Sequence, residues 1–496
     1  RQSLDAQAIG LALNAFSKWF DNPDCRSMAH SLAALLASDS RLRHAMDAQS
    51  VANALNALSK WPDAAVCAQA VDALAGRLPD EPRLRKALDP QGVANALNAL
   101  SKWPDTAVCA QAVGALAGRL TDEPGLREAL EPQGVANALN ALSKWPDTAD
   151  CKNAVGALAG RLADEPGLRE ALNPQGVANA LNALSKWPDT AVCAQAVGAL
   201  AGRLVDEPRL REALDSQQVA NALNALSKWP DTALCAQAVG ALAGRLVDEP
   251  TLRKALDPQE VTNSLNALSK WPGTAVCAQA VGALAGRLAD EAGLRKALNA
   301  QEVTNALNAL SKWPDAAVCA QAVGALAGRL LDEPRLREAL DPQGVANVLN
   351  ALSKWPGTAV CAQAVGALAG RLVDEPTLRK ALDPQGVATA LNALSKWPDT
   401  AVCAQAVGAL AGRLADEPGL RKALEPQQVA NALNALSKWP DAAVCAQAVN
   451  ALAGRLLDEP TLRKALNAQE VANALNALSK WPDAAVCAQA VGALAG

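Results

Sequence analysis

An all-α solenoid is the fold this sequence predicts, and three observations predict it. A Ser-Lys-Trp triplet returns every 42 residues from Trp19 to Trp481, marking twelve copies of one unit. Apolar residues make up 50 % of the 496, yet tyrosine is absent and 12 tryptophans supply most of the aromatics. A unit of this length cannot bury its own apolar face, so copies must stack in register, with a right-handed superhelix expected.

The copy at 122–162 carries the punctuation for about three helices. Asp122-Glu123-Pro124 sets a capping acid and a first-turn proline before a short helix, Gly125 to Leu130, with Leu126, Ala129 and Leu130 on one side. Glu131-Pro132 opens a second helix running to Trp145, where Val135, Ala138, Leu139 and Leu142 keep helical spacing and Pro146 ends it. Asp147 is the expected cap of a third, alanine-rich helix from Thr148 to Leu162 that turns Cys151, Val155 and Leu158 inward. Glycines there, such as Gly156 and Gly160, cost helix propensity and are read as permitting close approach of a neighbour. One short and two longer helices make an armadillo-like unit in the size range of HEAT units. Twelve of them, at helix spacings of roughly 8–10 Å, would form a rod on the order of 100 Å long.

A single repeat domain is therefore expected over 1–496: a divergent first copy at 1–46, near-identical copies over 47–496, and a truncated last one. The chain opens at Arg1 inside a repeat and stops at Gly496 within a helix, which reads as a fragment of a larger protein. With 46 basic against 50 acidic residues there is no global pull toward nucleic acid or anionic lipid. No run is long and apolar enough to span a bilayer and no secretion signal opens the chain, so a soluble monomer without membrane contact is expected.

The tryptophan falls where the second helix turns into the third. It is read as structural, its ring filling the gap between layers and its indole N–H bonding a loop carbonyl. Exposed rings would instead offer stacking platforms for bases. Each of the 12 cysteines stands alone, six residues after its tryptophan, and is read as a small buried apolar group. Equivalent cysteines a helix diameter apart are too distant to bridge, and none has zinc spacing. The two histidines, His30 and His44, occur only in the first copy. Carboxylate pairs such as Asp122 and Glu123 are explained by capping. Neither a phosphate loop nor a nucleophile motif is present, so the segment reads as non-enzymatic, with no metal and no cofactor.

The second helix carries the informative chemistry. Gln133, Asn137, Asn140 and Lys144 fall at i, i+4, i+7 and i+11 and share one face, opposite Val135, Leu139 and Leu142. The same ridge is Gln91, Asn95, Asn98, Lys102; then Gln175, Asn179, Asn182, Lys186; then Gln217, Asn221, Asn224, Lys228. Leu11 and Thr389 break the second row, whereas glutamine, the later asparagine and lysine recur in every copy. Stacking turns the ridge into a ladder of amides edged by lysines. Amides can bracket an extended peptide or nucleic-acid backbone, and the lysines, with the Arg119 and Arg127 equivalents, can meet phosphates or an acidic partner. A second reading stays open: the face is merely solvated, its asparagines satisfying loop carbonyls between units.

Otherwise near-identical copies differ just after the ridge glutamine, at Ala8, Ser50, Gly92, Gly134, Gly176, Gln218, Glu260, Glu302, Gly344, Gly386, Gln428 and Glu470. A small alphabet at one helix position suits a unit-by-unit readout. It is also the third residue of the helix, where Asp257-Pro258-Gln259-Glu260 and Asn299-Ala300-Gln301-Glu302 read as capping boxes. Capping leaves the glycines unexplained.

The repeated Ser101-Lys102-Trp103-Pro104 within a 42-residue helical unit resembles the Skwp repeat proteins, type III secretion effectors of plant-pathogenic bacteria. The resemblance covers the whole chain apart from Trp19-Phe20, where the proline is missing. It implies a HEAT/armadillo-like repeat region, delivery into a plant cell and a role in virulence, with no catalytic residues to carry over. Pro132 to Leu142 is also similar to the second helix of octotricopeptide repeats, organellar proteins associated with RNA.

Two functions follow as expectations. The leading one is a scaffold that binds a host protein or extended peptide along a concave ladder. The alternative is single-stranded RNA recognition, one nucleotide per unit, with the variable position and its asparagine neighbour reading bases.

Overall fold

The computed structural model describes residues 5–495, and every regular element among them is a helix. Arg1 and Gly496, on which the expectation of a longer chain rests, lie outside the described residues. Two compact units make up the chain, residues 1–255 and 256–496. Each is a stack of layers, so the chain is an α-solenoid of armadillo-like repeats.

In the first unit one layer consists of a ridge helix, Pro132–Leu142, an alanine-rich helix, Ala149–Asp164, and a short helix, Pro166–Glu170. Ridge helices pack on ridge helices: Pro132–Leu142 lies between Pro90–Leu100 and Pro174–Leu184. Alanine-rich helices pack likewise on their own kind. The second unit repeats the arrangement, with ridge helices such as Pro342–Leu352, Pro384–Leu394 and Pro426–Leu436 in succession.

Val135, Ala138, Leu139 and Leu142 are fully buried, as their spacing predicts. Loss of one such leucine side chain costs about 2–5 kcal/mol. The ridge helix nevertheless ends at Leu142, three residues before Trp145. Ser143 N bonds Leu139 O, but Lys144 N and Trp145 N turn tighter, to Ala141 O and Leu142 O. Ser143 Oγ donates to Asn140 O at 2.8 Å, pulling a last-turn carbonyl into this tighter stop before proline acts.

Two expected caps are absent. Thr148 rather than Asp147 precedes the alanine-rich helix, and its hydroxyl donates to Trp145 O at 2.8 Å instead of accepting from the helix. Glu123 precedes the short helix without a side-chain cap because Arg119 holds its carboxylate. Glycine in the alanine-rich helix is not kept by close approach either. A methyl group at Gly118, Gly198 or Gly202 would meet nothing within 4 Å, and at Gly160 it would make ordinary contact with Val192 at 3.9 Å. In the second layer Pro79 splits the alanine-rich helix into Ala65–Ala75 and Arg77–Asp80, since its ring crowds the carbonyl one turn back.

Tryptophan ties layers together. Trp103 is 8 % exposed and its Nε1–H donates to Pro62 O, 41 residues earlier, at 3.2 Å. Trp145, Trp187 and Trp229 in the first unit, and Trp355 and Trp481 in the second, do the same to the preceding proline carbonyl. Trp271, Trp313 and Trp397 keep a buried Nε1 without a partner among the described residues; the last two follow a Trp-Pro-Gly loop, but Trp271 follows Trp-Pro-Asp, so the loop residue does not decide the bond. Trp19 departs from the structural reading: in the divergent first layer it is 69 % exposed.

Candidate functional site

A proline or small residue at the first helical position and an acid or asparagine before it start each ridge helix cleanly. Asp89 Oδ1 accepts from Gly92 N at 2.6 Å, ahead of Pro90. That start fixes the helix rotation, and the apolar face then turns the ridge outward. Gln133 and Lys144 are exposed while Asn137 and Asn140 are half-buried, and the pattern holds at Gln91 to Lys102, Gln175 to Lys186 and Gln217 to Lys228. The lysine lies beyond the last helical turn, on the tight stop, rather than within the helix.

The two asparagine rows behave differently. Gln133 Nε2 donates to Asn137 Oδ1 at 3.0 Å, and Gln343 and Gln301 make the same bond to Asn347 and Asn305 at 3.1 Å. Between layers, Asn173 Nδ2 donates to Gln133 Oε1 at 3.3 Å. In contrast, the side-chain amides of Asn98, Asn140, Asn182 and Asn224 have no hydrogen-bond partner among the described residues. Only their main-chain carbonyls are engaged, by the following serine. They satisfy no loop carbonyl, so that alternative account of the row fails on geometry. Lys102, Lys144, Lys186 and Lys228 likewise make no ion pair among the described residues.

Grooves open between successive ridge helices. One of about 420 Å³ is lined by Gln91, Asn95, Gln133 and Asn137, with Leu130 and Ala94 among its apolar residues. In the second unit a smaller one of about 70 Å³ lies beside Gln301, Thr304 and Asp341. Another, of about 270 Å³, surrounds Thr389. The contribution of the capping residue to the groove rim was missed in the sequence, although an acid or asparagine two residues before each ridge glutamine was its signal.

Arg119 and Arg127 do not join the ridge. Arg119 is 8 % exposed; its guanidinium donates to Arg85 O and Leu88 O in the preceding layer at 2.6 and 3.0 Å, and grips Glu123 through two bonds. Arg127 donates to Leu120 O and Thr121 O, at the end of the previous helix. Both satisfy carbonyls that helix ends leave open. The Arg119 hydrogen bond holds the Glu123 carboxyl below its ordinary value.

The variable position is largely engaged in capping. Glu260 Oε2 accepts from Asp257 N at 3.0 Å while Glu260 N donates to Asp257 Oδ1 at 2.7 Å, and Gln218, Glu302 and Glu470 form the same reciprocal box. Gln428 Oε1 accepts from Glu425 N at 3.0 Å. Ser50 N donates to Asp47 Oδ1 at 2.8 Å. Glycine stands where the preceding leucine and the capping side chain press in: a Cβ at Gly92 would lie 2.9 Å from Asp89 Oδ1, at Gly386 3.0 Å from Leu382, and at Gly176 3.1 Å from Leu172. Gly344 is similarly crowded by Asp341 at 2.9 Å and Gly134 by Leu130 at 3.3 Å. Capping engages the Gln and Glu members of this alphabet, whereas the same leucine and aspartate flank Gly92 and Glu260 alike, so packing alone does not choose between them.

The cysteines lie on the far side, and burial raises Cys109 and Cys193 to about 11. A cavity of about 540 Å³ in the first copy, beside Arg26 and His30, is also off the ridge; His30 stands edge-on to Trp61 at 6.0 Å. Among the described residues no cluster of His, Cys, Asp or Glu could hold a metal ion, and no helix is long and apolar enough to cross a membrane.

Comparison with known proteins adds three kinds of finding. A family described as a protein of unknown function, DUF1601, matches residues 169–181, 296–307 and 464–475, which is the end of the short helix and the start of the ridge helix in three copies. No curated protein sequence matches the chain. Among solved structures, the chain is similar to one in a homology model of the full-length AP-3 complex, at 12 % identity and TM-score 0.30, covering 97 % of this chain and 84 % of that one. A structure from work on the phosphorylation switch between cadherin and beta-catenin is similar at 14 % identity and TM-score 0.24, covering 99 % and 97 %. The pentatricopeptide repeat protein PPR10 from maize is similar at 11 % identity and TM-score 0.24, covering 94 % and 88 %.

Proposed function

We propose that this helical repeat scaffold is non-catalytic and binds single-stranded RNA along the amide ladder, about one nucleotide per layer. The observation that carries the reading is the paired row of Asn140-type amides and Lys144-type ammonium groups, neither with a partner among the described residues. Four residues separate the two, about 6 Å along a helix axis, a spacing suited to a base edge and its backbone phosphate. Uniformity supports a polymer. A folded partner presents different chemistry at every layer, whereas a strand presents the same backbone each time.

The near-neutral net charge of −4 does not oppose this. The capping acids lie some thirteen residues from the lysines, roughly 20 Å along the axis, against a Debye length of about 8 Å at physiological salt, and the nearer acid is the exposed loop residue three positions on, Asp147 beside Lys144. The resemblance to Skwp effectors supports a setting for the scaffold, delivery into a plant cell with a part in virulence. An extended peptide is the second reading, favoured by the Asn173 to Gln133 bond, which is the amide-to-amide contact a peptide backbone would extend.

The test is selection of the purified chain against a randomised single-stranded RNA pool at two salt concentrations, beside a randomised peptide library. Salt-sensitive retention of RNA is the expected result. Retention of peptides with no RNA retained would overturn it and move the ladder to a protein partner.

A further inference from the structure

The loop after each tryptophan sets the charge beside the lysine row. Aspartate stands three positions beyond the lysine in ten copies, as Asp147 does beyond Lys144, so each of those lysines has an exposed carboxylate close by. Gly273 and Gly357 take its place beyond Lys270 and Lys354. Shape does not explain these two glycines. Neither has a positive φ, and a Cβ at either would meet nothing within 4 Å. The turn is also the same with either residue: Thr358 N bonds Trp355 O at 3.2 Å across Gly357, as Thr400 N bonds Trp397 O at 3.2 Å across Asp399. Nor does the aspartate hold the loop, since the Asp315 and Asp399 carboxylates have no hydrogen-bond or ion-pair partner among the described residues. What the exchange changes is charge.

Between Lys270 and Lys354 lies one further copy, whose Lys312 keeps Asp315. Three consecutive layers of the second unit therefore present three exposed ammonium groups against one carboxylate, while the lysine and aspartate rows balance one for one elsewhere. Apart from Asp315, no charged residue stands between any of these lysines and the arginine late in the helix that follows, Arg287, Arg329 or Arg371. Two unit charges about 8 Å apart in water interact with an energy near RT, so a carboxylate beside a lysine weakens a phosphate contact there by about two- to threefold. Resting on the RNA reading above, we infer that the stretch from Lys270 to Lys354 anchors the bound strand, whose phosphates are held tightest there. A row of equal layers would hold a strand equally well at any place along it; unequal charge favours one stretch of three layers and thereby sets where the strand lies.

The experiment measures binding of the full chain to a labelled pool of randomised single-stranded RNA at about 0.01 M and about 0.15 M salt, where the Debye length is about 30 and 8 Å, with circular dichroism to confirm folding. Supplying both carboxylates, Gly273→Asp with Gly357→Asp, should weaken binding about fivefold at the lower salt and about twofold at the higher. The neutral pair Gly273→Asn with Gly357→Asn should keep wild-type affinity, which separates charge from shape. Asp315→Asn should tighten binding about twofold at the lower salt, a gain that unfolding cannot imitate. Replacing Lys270 and Lys354 by glutamine should cost more than replacing Lys396 and Lys438, which keep Asp399 and Asp441 beside them. RNA bound with equal loss from the two lysine pairs, or with the same response to aspartate as to asparagine, would overturn the anchor while leaving the ladder reading in place. No RNA bound, including the case in which peptides are captured instead, would overturn both.

Discussion

Replacing Lys102, Lys144 and Lys186 together by glutamine removes three cations from consecutive layers of the first unit. Chain length is kept, and helix propensity is nearly so. Each lysine is exposed and without an ion pair among the described residues, so folding stability should stay within about 0.5 kcal/mol of wild type. Binding should not. For single strands the slope of log affinity against log salt is about −0.7 per phosphate contact, so three lost contacts flatten it by about 2. Between 1 M and 0.15 M salt the logarithm changes by about 0.8, which makes the loss at 0.15 M about 1.7 log units, or roughly fifty-fold. Fluorescence anisotropy with a labelled oligonucleotide, titrated at several salt concentrations, reads both quantities. A variant that binds RNA with the wild-type slope would refute the reasoning, because the lysine row would then carry no phosphate. A variant that melts early would show instead that the lysines hold the fold.

Three further outcomes follow from the geometry. Gly357→Asp should stabilise the chain by about 0.5–1 kcal/mol in urea unfolding, because it narrows the freedom of the unfolded chain at a position where φ is not positive and a Cβ meets nothing within 4 Å. No gain would show that the loop depends on glycine's own backbone freedom. Glu123 and its equivalents have carboxyl pKa values below their ordinary 4.5, through the hydrogen bond from arginine. The folded chain therefore binds fewer protons than the unfolded one, so the stabilisation is whole above about pH 4.5 and is lost as pH falls through the lowered value. Circular dichroism along an acid titration should show that loss, and Glu123→Gln should reduce it. Thiols raised to about 11, such as Cys109, are only about 0.1 % thiolate at pH 8. An alkylating reagent should thus label the native chain chiefly at half-buried Cys25, and all 12 cysteines only in denaturant.

How much was legible in the sequence depended on whether a residue's partner lay inside its own copy. Leu139 and Leu142 were readable because helical periodicity is local, and Glu260 because a capping box closes within four residues. The interlayer tryptophan bond was expected in kind, yet the identity of its acceptor, Pro62 O for Trp103, needed the register of stacking. Arg119 was misplaced for the same reason. Read along one helix it is an exposed-looking cation near an acid, whereas in the stack it reaches 34 residues back to Arg85 O and is buried. The helix stop at Leu142 escaped notice because Pro146 is the louder signal, although Ser143 acts first.

The same distinction separates structure from function on the ridge. In a chain of near-identical copies every polar residue recurs, so recurrence by itself says nothing of role. What does discriminate is where each recurring group finds its partner. Ser143 has Asn140 O, Trp145 has Pro104 O, Arg161 has Arg127 O and Glu165, and Asp89 has Gly92 N. Each of these would recur in a repeat that did nothing but stack. The Asn140 amide and the Lys144 ammonium have no partner among the described residues, although glutamate at the first and almost any polar residue at the second would serve solvation with equal or better helix propensity. On the proposed function a partner outside the chain accounts for those two side chains, and a strand that offers a base edge and a phosphate at every layer would supply both halves of it at once.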